Sequence, residues 1–113
     1  VGSTVNVRTI QSRSGHVIRF SEEEGDNFIE IQDASGANLI KFDTQSQAMQ
    51  ITSNGNVTVS AGGDAVVEAV NADIIADANI TIDAGAQLTI KGAIINVESS
   101  GILTLKGSMV QMG

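Results

Sequence analysis

From Phe28 to the C-terminus the sequence is a ladder of short apolar–polar–apolar units, and this feature limits the fold more than any other. Ile29-Glu30-Ile31, Ile40-Lys41-Phe42, Met49-Gln50-Ile51, Val57-Thr58-Val59 and Ala65-Val66-Val67 belong to it. Ile80-Thr81-Ile82, Leu88-Thr89-Ile90, Ile95-Asn96-Val97, Leu103-Thr104-Leu105 and Val110-Gln111-Met112 continue it. A further unit near Ile74-Ile75 is less regular, and beyond Ile51 the second apolar residue recurs every 7 or 8 positions. Alternation with period two gives each unit one dry and one wet face, as in a strand. A helix needs apolar residues three and four apart over several turns, and none are so arranged. Between the units stand Gly, Asn, Asp and Ser, as in Ser53-Asn54-Gly55-Asn56, Ala61-Gly62-Gly63-Asp64 and Ser99-Ser100-Gly101. Glycine there is expected to supply corner angles that other residues reach only with strain. Each unit is therefore a three- or four-residue strand plus a corner, and a run of such units is a β-helix or β-prism. The stretch 65–79 admits two registers, because Asp73 occupies an apolar position.

The first third reads differently. Gly15–Phe20, Phe28–Gln32 and Asn38–Asp43 are expected as longer strands joined by connectors that suit hairpins. In a meander Ile18/Phe20, Ile29/Ile31 and Ile40/Phe42 share the buried face, and Arg19, Glu30 and Lys41 share the wet one. Opposite charges on neighbouring strands support that register by roughly 0.2–1 kcal/mol each. Val5-Asn6-Val7 adds a candidate strand. The expected organisation is a meander over residues 1–45 and an octad-repeat β-helix over residues 46–113.

Two architectures accommodate one strand per 7 or 8 residues. A lone chain can coil as a solenoid, or three identical chains can wind round one axis. Eleven strands on three faces make fewer than four turns for a lone chain, with open edges that attract other chains. Three wound chains share a continuous core and reach on the order of 50 Å. Composition favours the second. The chain has 113 residues, 42% of them apolar, but only three Phe and no Trp, Tyr, Cys or Pro. Small β-branched residues fill a thin interior better than a wide one. The fold class expected is all-β: a short antiparallel meander followed by an intertwined homotrimeric β-helix needle.

Other classes are excluded or disfavoured. Without cysteine there is no disulfide framework or zinc–thiolate site. A net charge of −7 disfavours nucleic acid and anionic lipid as partners. No apolar run approaches the 18 residues of a spanning helix, and no signal peptide is visible.

Ser14-Gly15-His16-Val17-Ile18-Arg19-Phe20, Phe28-Ile29-Glu30-Ile31-Gln32-Asp33 and Ile40-Lys41-Phe42-Asp43 together resemble the stretch after the OB-fold domain in spike proteins of contractile injection systems. These are the valine-glycine repeat (VgrG) spikes of type VI secretion and the related spikes of phage tails and extracellular injection particles. Ile90-Lys91-Gly92 through Lys106-Gly107-Ser108-Met109-Val110 resembles the end of such spikes, so the likeness covers residues 11–113. It implies a homotrimeric membrane-puncturing needle without enzymatic activity or cofactor. It also implies a PAAR-type tip protein at the C-terminal end, and hub and baseplate partners held through N-terminal domains missing here. Manufacture in the cytoplasm and delivery by the particle outside or into a target cell follow from the same likeness. The His-x-His metal tip of some members is absent, since His16 is the one histidine.

Candidate chemistry is sparse. His16 reads as a strand-start residue with a backbone hydrogen bond, in preference to an axial metal ligand. Glu22-Glu23-Glu24 reads as a solvated hairpin tip. Asp64, Asp73, Asp77 and Asp83 lack the glycine-rich repeat of a calcium β-roll. No catalytic, cofactor or metal residues are assigned. Leu103, Leu105, Val110 and Met112 fit two roles equally, a docking face for a tip protein or the last core layers. The rival readings are a monomeric β-solenoid binding module with a flat Thr-rich face, carrying Thr58, Thr81, Thr89 and Thr104, and a solenoid enzyme with a carboxylate cluster.

Overall fold

Alternating residues from Thr9 to Thr52 form five strands in a computed structural model that describes residues 8–23 and 25–113. They are β1 (Thr9–Gln11), β2 (Val17–Glu23), β3 (Asp26–Gln32), β4 (Leu39–Asp43) and β5 (Ala48–Thr52). Each pairs antiparallel with the next, giving one meander in the order β1-β2-β3-β4-β5. The protein is all-β, with no helix among the described residues. Two compact units are distinguishable, one ending at Val67 and the other Glu68–Gly113.

The expected register holds. Ile18 lies opposite Ile31, Ile31 opposite Ile40, and Ile40 opposite Ile51, while Phe20, Ile29, Phe42 and Met49 form a second apolar row. Arg19, Glu30 and Lys41 line up between them. Two strands run further than the alternation suggested. β2 continues to Glu23 and β3 begins at Asp26, so Glu22 pairs with Asn27 and Glu23 with Asp26. Two of the three acids read as a hairpin tip are thus strand residues, and Glu24 lies outside the described residues. A connector rich in charge can still be strand, because backbone pairing is indifferent to solvated side chains. The candidate strand Val5-Asn6-Val7 also lies outside the described residues, and Thr9–Gln11 supplies the first described strand.

Met49-Gln50-Ile51, counted above with the ladder, is the fifth strand of the meander. Its alternation is the same in either setting, and nothing in three residues tells which neighbour they will bond. The turns before and after β4 are built by aspartate. The Asp33 carboxylate accepts the Ser35 hydroxyl at 2.9 Å and the Asn38 side-chain amide at 3.1 Å. Gly36, at φ +75°, closes that turn in the left-handed region that favours glycine. Asp43 Oδ1 accepts the Gln45 and Ser46 amides at 3.1 and 3.2 Å.

Beyond Thr52 the pairing stops. Residues 53–113 are extended segments interrupted by bends that begin at Asn54, Gly62, Val70, Asp77, Gly85, Ala93, Ser100 and Ser108. The spacing is again 7 or 8, and it continues through 65–79, with bends at Val70-Asn71 and Asp77-Ala78. Among the described residues, no strand or backbone–backbone hydrogen bond includes any residue past Thr52. The corner glycines depart from expectation as well. None between Gly55 and Gly107 has positive φ. Gly92 and Gly107 are instead needed for space, since a Cβ would lie 3.2 and 3.0 Å from the carbonyl oxygens of Ile94 and Met109.

Candidate functional site

The alternation that folds the meander also leaves its apolar face uncovered. Among the described residues no hydrophobic side chain is buried, and the most enclosed polar residue is Glu30, at 9% exposure. Glu30 lies on the face read as wet. There the Arg19 guanidinium stands 3.6 Å from its carboxylate, and the Lys41 ammonium sits 4.5 Å from the centre of the Phe28 ring. Long cationic side chains thus cover apolar and charged neighbours on this face. The other face carries Ile31 and Phe42 at 45% and 39% exposure. The residues sort into two faces as expected, but within one chain the face expected to be dry has nothing over it.

The ladder carries the same feature further. The first apolar residues of successive units, such as Ile95, Leu103 and Val110, are about half exposed, and Val97, Leu105 and Met112 more so. The chain's accessible surface is 11038 Å², whereas a compact monomer of its 11.7 kDa mass exposes about 5,900 Å². Roughly 5,000 Å² that a folded chain of this mass hides is therefore open, an area comparable to the largest obligate interfaces.

Leu103, Leu105, Val110 and Met112 occupy two consecutive rungs in the same positions as Ile95 and Val97. In exposure Leu103 and Val110 match Ile95, so nothing in their own geometry separates a docking face from the last core layers. His16 is engaged locally. Its Nδ1 accepts the Ala34 amide at 3.1 Å, and its own amide donates to Ser12 Oγ at 3.0 Å, tying the β1–β2 turn to the β3–β4 turn. Asn38 Oδ1 accepts the Asn54 amide at 3.1 Å, which fastens the same end of the sheet to the first ladder bend. Sequence reasoning missed this latch, because Asn38 and Asn54 each read as ordinary turn residues.

Among the described residues no group of three His, Asp or Glu is placed to hold a metal ion. Asp64, Asp73, Asp77 and Asp83 fall on separate segments of the ladder. A groove beside β1 and β2, lined by Arg8, Arg19, Phe20 and Phe28 among others, brings together no pair of carboxylates. The arrangement offers an open apolar surface. The chain matches no protein-family model and no curated protein.

Proposed function

We propose that this chain is one strand-set of an intertwined homotrimeric β-helix, and that the trimer is the puncturing needle of a contractile injection machine. The observation that carries the proposal is the state of residues 53–113: regular bends, extended segments, no backbone–backbone hydrogen bond and no buried apolar side chain. Ordering a residue costs about 1–2 kcal/mol in backbone entropy. A single chain offers only a few hydrogen bonds at the bends to offset it, whereas two further copies would supply both the backbone partners and the cover. A lone solenoid would pair each rung with one further along its own chain, and no such pair occurs among the described residues.

Among trimeric fibres, the resemblance of residues 14–43 and 90–110 to injection-machine spikes selects the needle. The work is mechanical. Each rung is bonded above and below by another chain, so one copy cannot unfold without unwinding the others, and the assembly is kinetically stable. Its partners are the hub and baseplate at the meander end and a PAAR-type tip protein over Leu103, Leu105, Val110 and Met112, with passing contact to the target membrane. Light scattering at micromolar concentration tests the assembly, and a trimer mass with a band resisting SDS is expected. A monomer mass overturns the reading.

A further inference from the structure

Asn54-Gly55 is the first bend beyond the sheet, between β5 and the unit Val57-Thr58-Val59. Of the eight asparagines in the chain, it is the one that a glycine follows. The others precede residues that carry a Cβ, four of them the β-branched Val7, Val57, Ile80 and Val97. The fold does not require glycine at position 55. Gly55 does not take positive φ, and a Cβ there would meet nothing within 4 Å. What glycine does supply is a main-chain nitrogen with no side chain to shield it from the preceding residue.

Both residues of the bend are exposed. Asn38 Oδ1 accepts the Asn54 amide at 3.1 Å, which fixes the main chain on one side of the pair. On the other side the Gly55 N–H donates to Ser53 Oγ at 3.2 Å. Asn71 is likewise exposed and within a ladder bend, but Ala72 follows it, so it serves as a matched comparison.

We infer that Asn54-Gly55 is a self-modifying joint, at which asparagine converts to isoaspartate and lengthens the main chain between sheet and ladder. Asparagine is a thermolabile residue, and the bend brings its side chain and the next main-chain nitrogen together in water. The Gly55 nitrogen gives up its proton to solvent and attacks Asn54 Cγ. An N–Cγ bond forms, the Cγ–Nδ2 bond breaks, and ammonia leaves with a proton taken from solvent. Water then opens the five-membered succinimide at one of its two carbonyls. Opening at the main-chain carbonyl of Asn54 leaves the chain running through Cβ and Cγ, one atom longer, with the α-carboxylate free. Opening at Cγ restores an ordinary chain with aspartate. Either product adds a negative charge. The Ser53 hydroxyl is the brake, since its bond to the Gly55 N–H must open before the nitrogen attacks. Ladder units beyond Ile51 recur every 7 or 8 residues, and the added atom enters the first of those intervals alone. The reaction needs a single chain, so the inference is independent of the needle reading.

The test holds the 113-residue chain in mildly alkaline buffer at body temperature and follows it by peptide mapping. Isoaspartyl methyltransferase with a labelled methyl donor is the probe for isoaspartate. The peptide carrying Asn54 should gain about 1 Da and accept methyl groups. It should do so about tenfold faster than the peptide carrying Asn71, or more. Gly55→Ala, which the open space tolerates, should slow the reaction about tenfold and leave the circular dichroism spectrum unchanged. Ser53→Ala should speed it roughly threefold. The rate should climb with pH, because the attacking nitrogen must lose its proton. Equal rates at Asn54 and Asn71 in the parent chain overturn the inference without any variant. A Gly55→Ala chain that reacts as fast as the parent also overturns it. Mass gain without methyl acceptance overturns the lengthened main chain, and an unchanged rate in Ser53→Ala overturns the brake.

Discussion

Ile29-Glu30-Ile31 and Ile95-Asn96-Val97 are written in the same pattern and meet different fates. The first lies in β3, bonded on both sides by strands of its own chain. The second has no backbone partner among the described residues. The difference comes from the connectors. Six residues from Asp33 to Asn38, with a carboxylate that gathers the turn, reverse the chain and return β4 against β3. Bends of one or two residues in the ladder turn the chain without reversing it, so a rung never comes back to meet its predecessor. Local pattern makes an extended segment, and the connector decides whether that segment bonds its own chain.

Breaking the ladder should have the largest effect. Ile95→Asp places a charge where the shared axis is proposed, and a buried unpaired charge costs about 3–5 kcal/mol. The trimer should disappear by light scattering, and amides of 53–113 should exchange freely while those of β3 stay slower. Equal protection in both regions would erase the contrast. Next comes the meander's own turn. Gly36→Ala forces a side chain into the left-handed region and toward Gln32 Nε2, 2.7 Å from the new Cβ, at a cost of about 1–2 kcal/mol. Chemical denaturation should register that loss. Glu30→Ala removes the sheltered partner of Arg19 and should cost about 1 kcal/mol in the same measurement. Acid should act most gently. The Ser35 hydroxyl holds the Asp33 carboxyl below its usual value of 3.8, and the Ser46 amide does the same for Asp43. Their contribution is present above that value and is lost as pH falls through the lower folded pKa values. A thermal melt of the meander should therefore shift downward below about pH 4, and Asp33→Asn should remove part of the shift.

Much of the meander was legible because its signals agree. The rows Ile18–Ile31–Ile40 and Arg19–Glu30–Lys41 follow from alternation plus opposite charge, and both appear in the register. The extension of β2 and β3 into the acidic run was not legible, since propensity scores solvated acids against strand although pairing tolerates them. Nor was the fifth strand, whose sequence matches a ladder rung. The bend at Val70-Asn71 escaped because Asn71 stands there without a glycine and beside the β-branched Val70, and it is the regular spacing on both sides that gives it away. In the candidate site, Leu103, Leu105, Val110 and Met112 follow the repeat like any other rung.

Residues 91–97 and 106–112 repeat one another, turn for turn, with the same crowded glycine at the second place. A segment cut out between two such equivalent points rejoins like to like, and a copy spliced in does the same. The molecule's length is thereby a quantity that evolution can adjust in whole storeys, with every joint left as it was and both ends untouched.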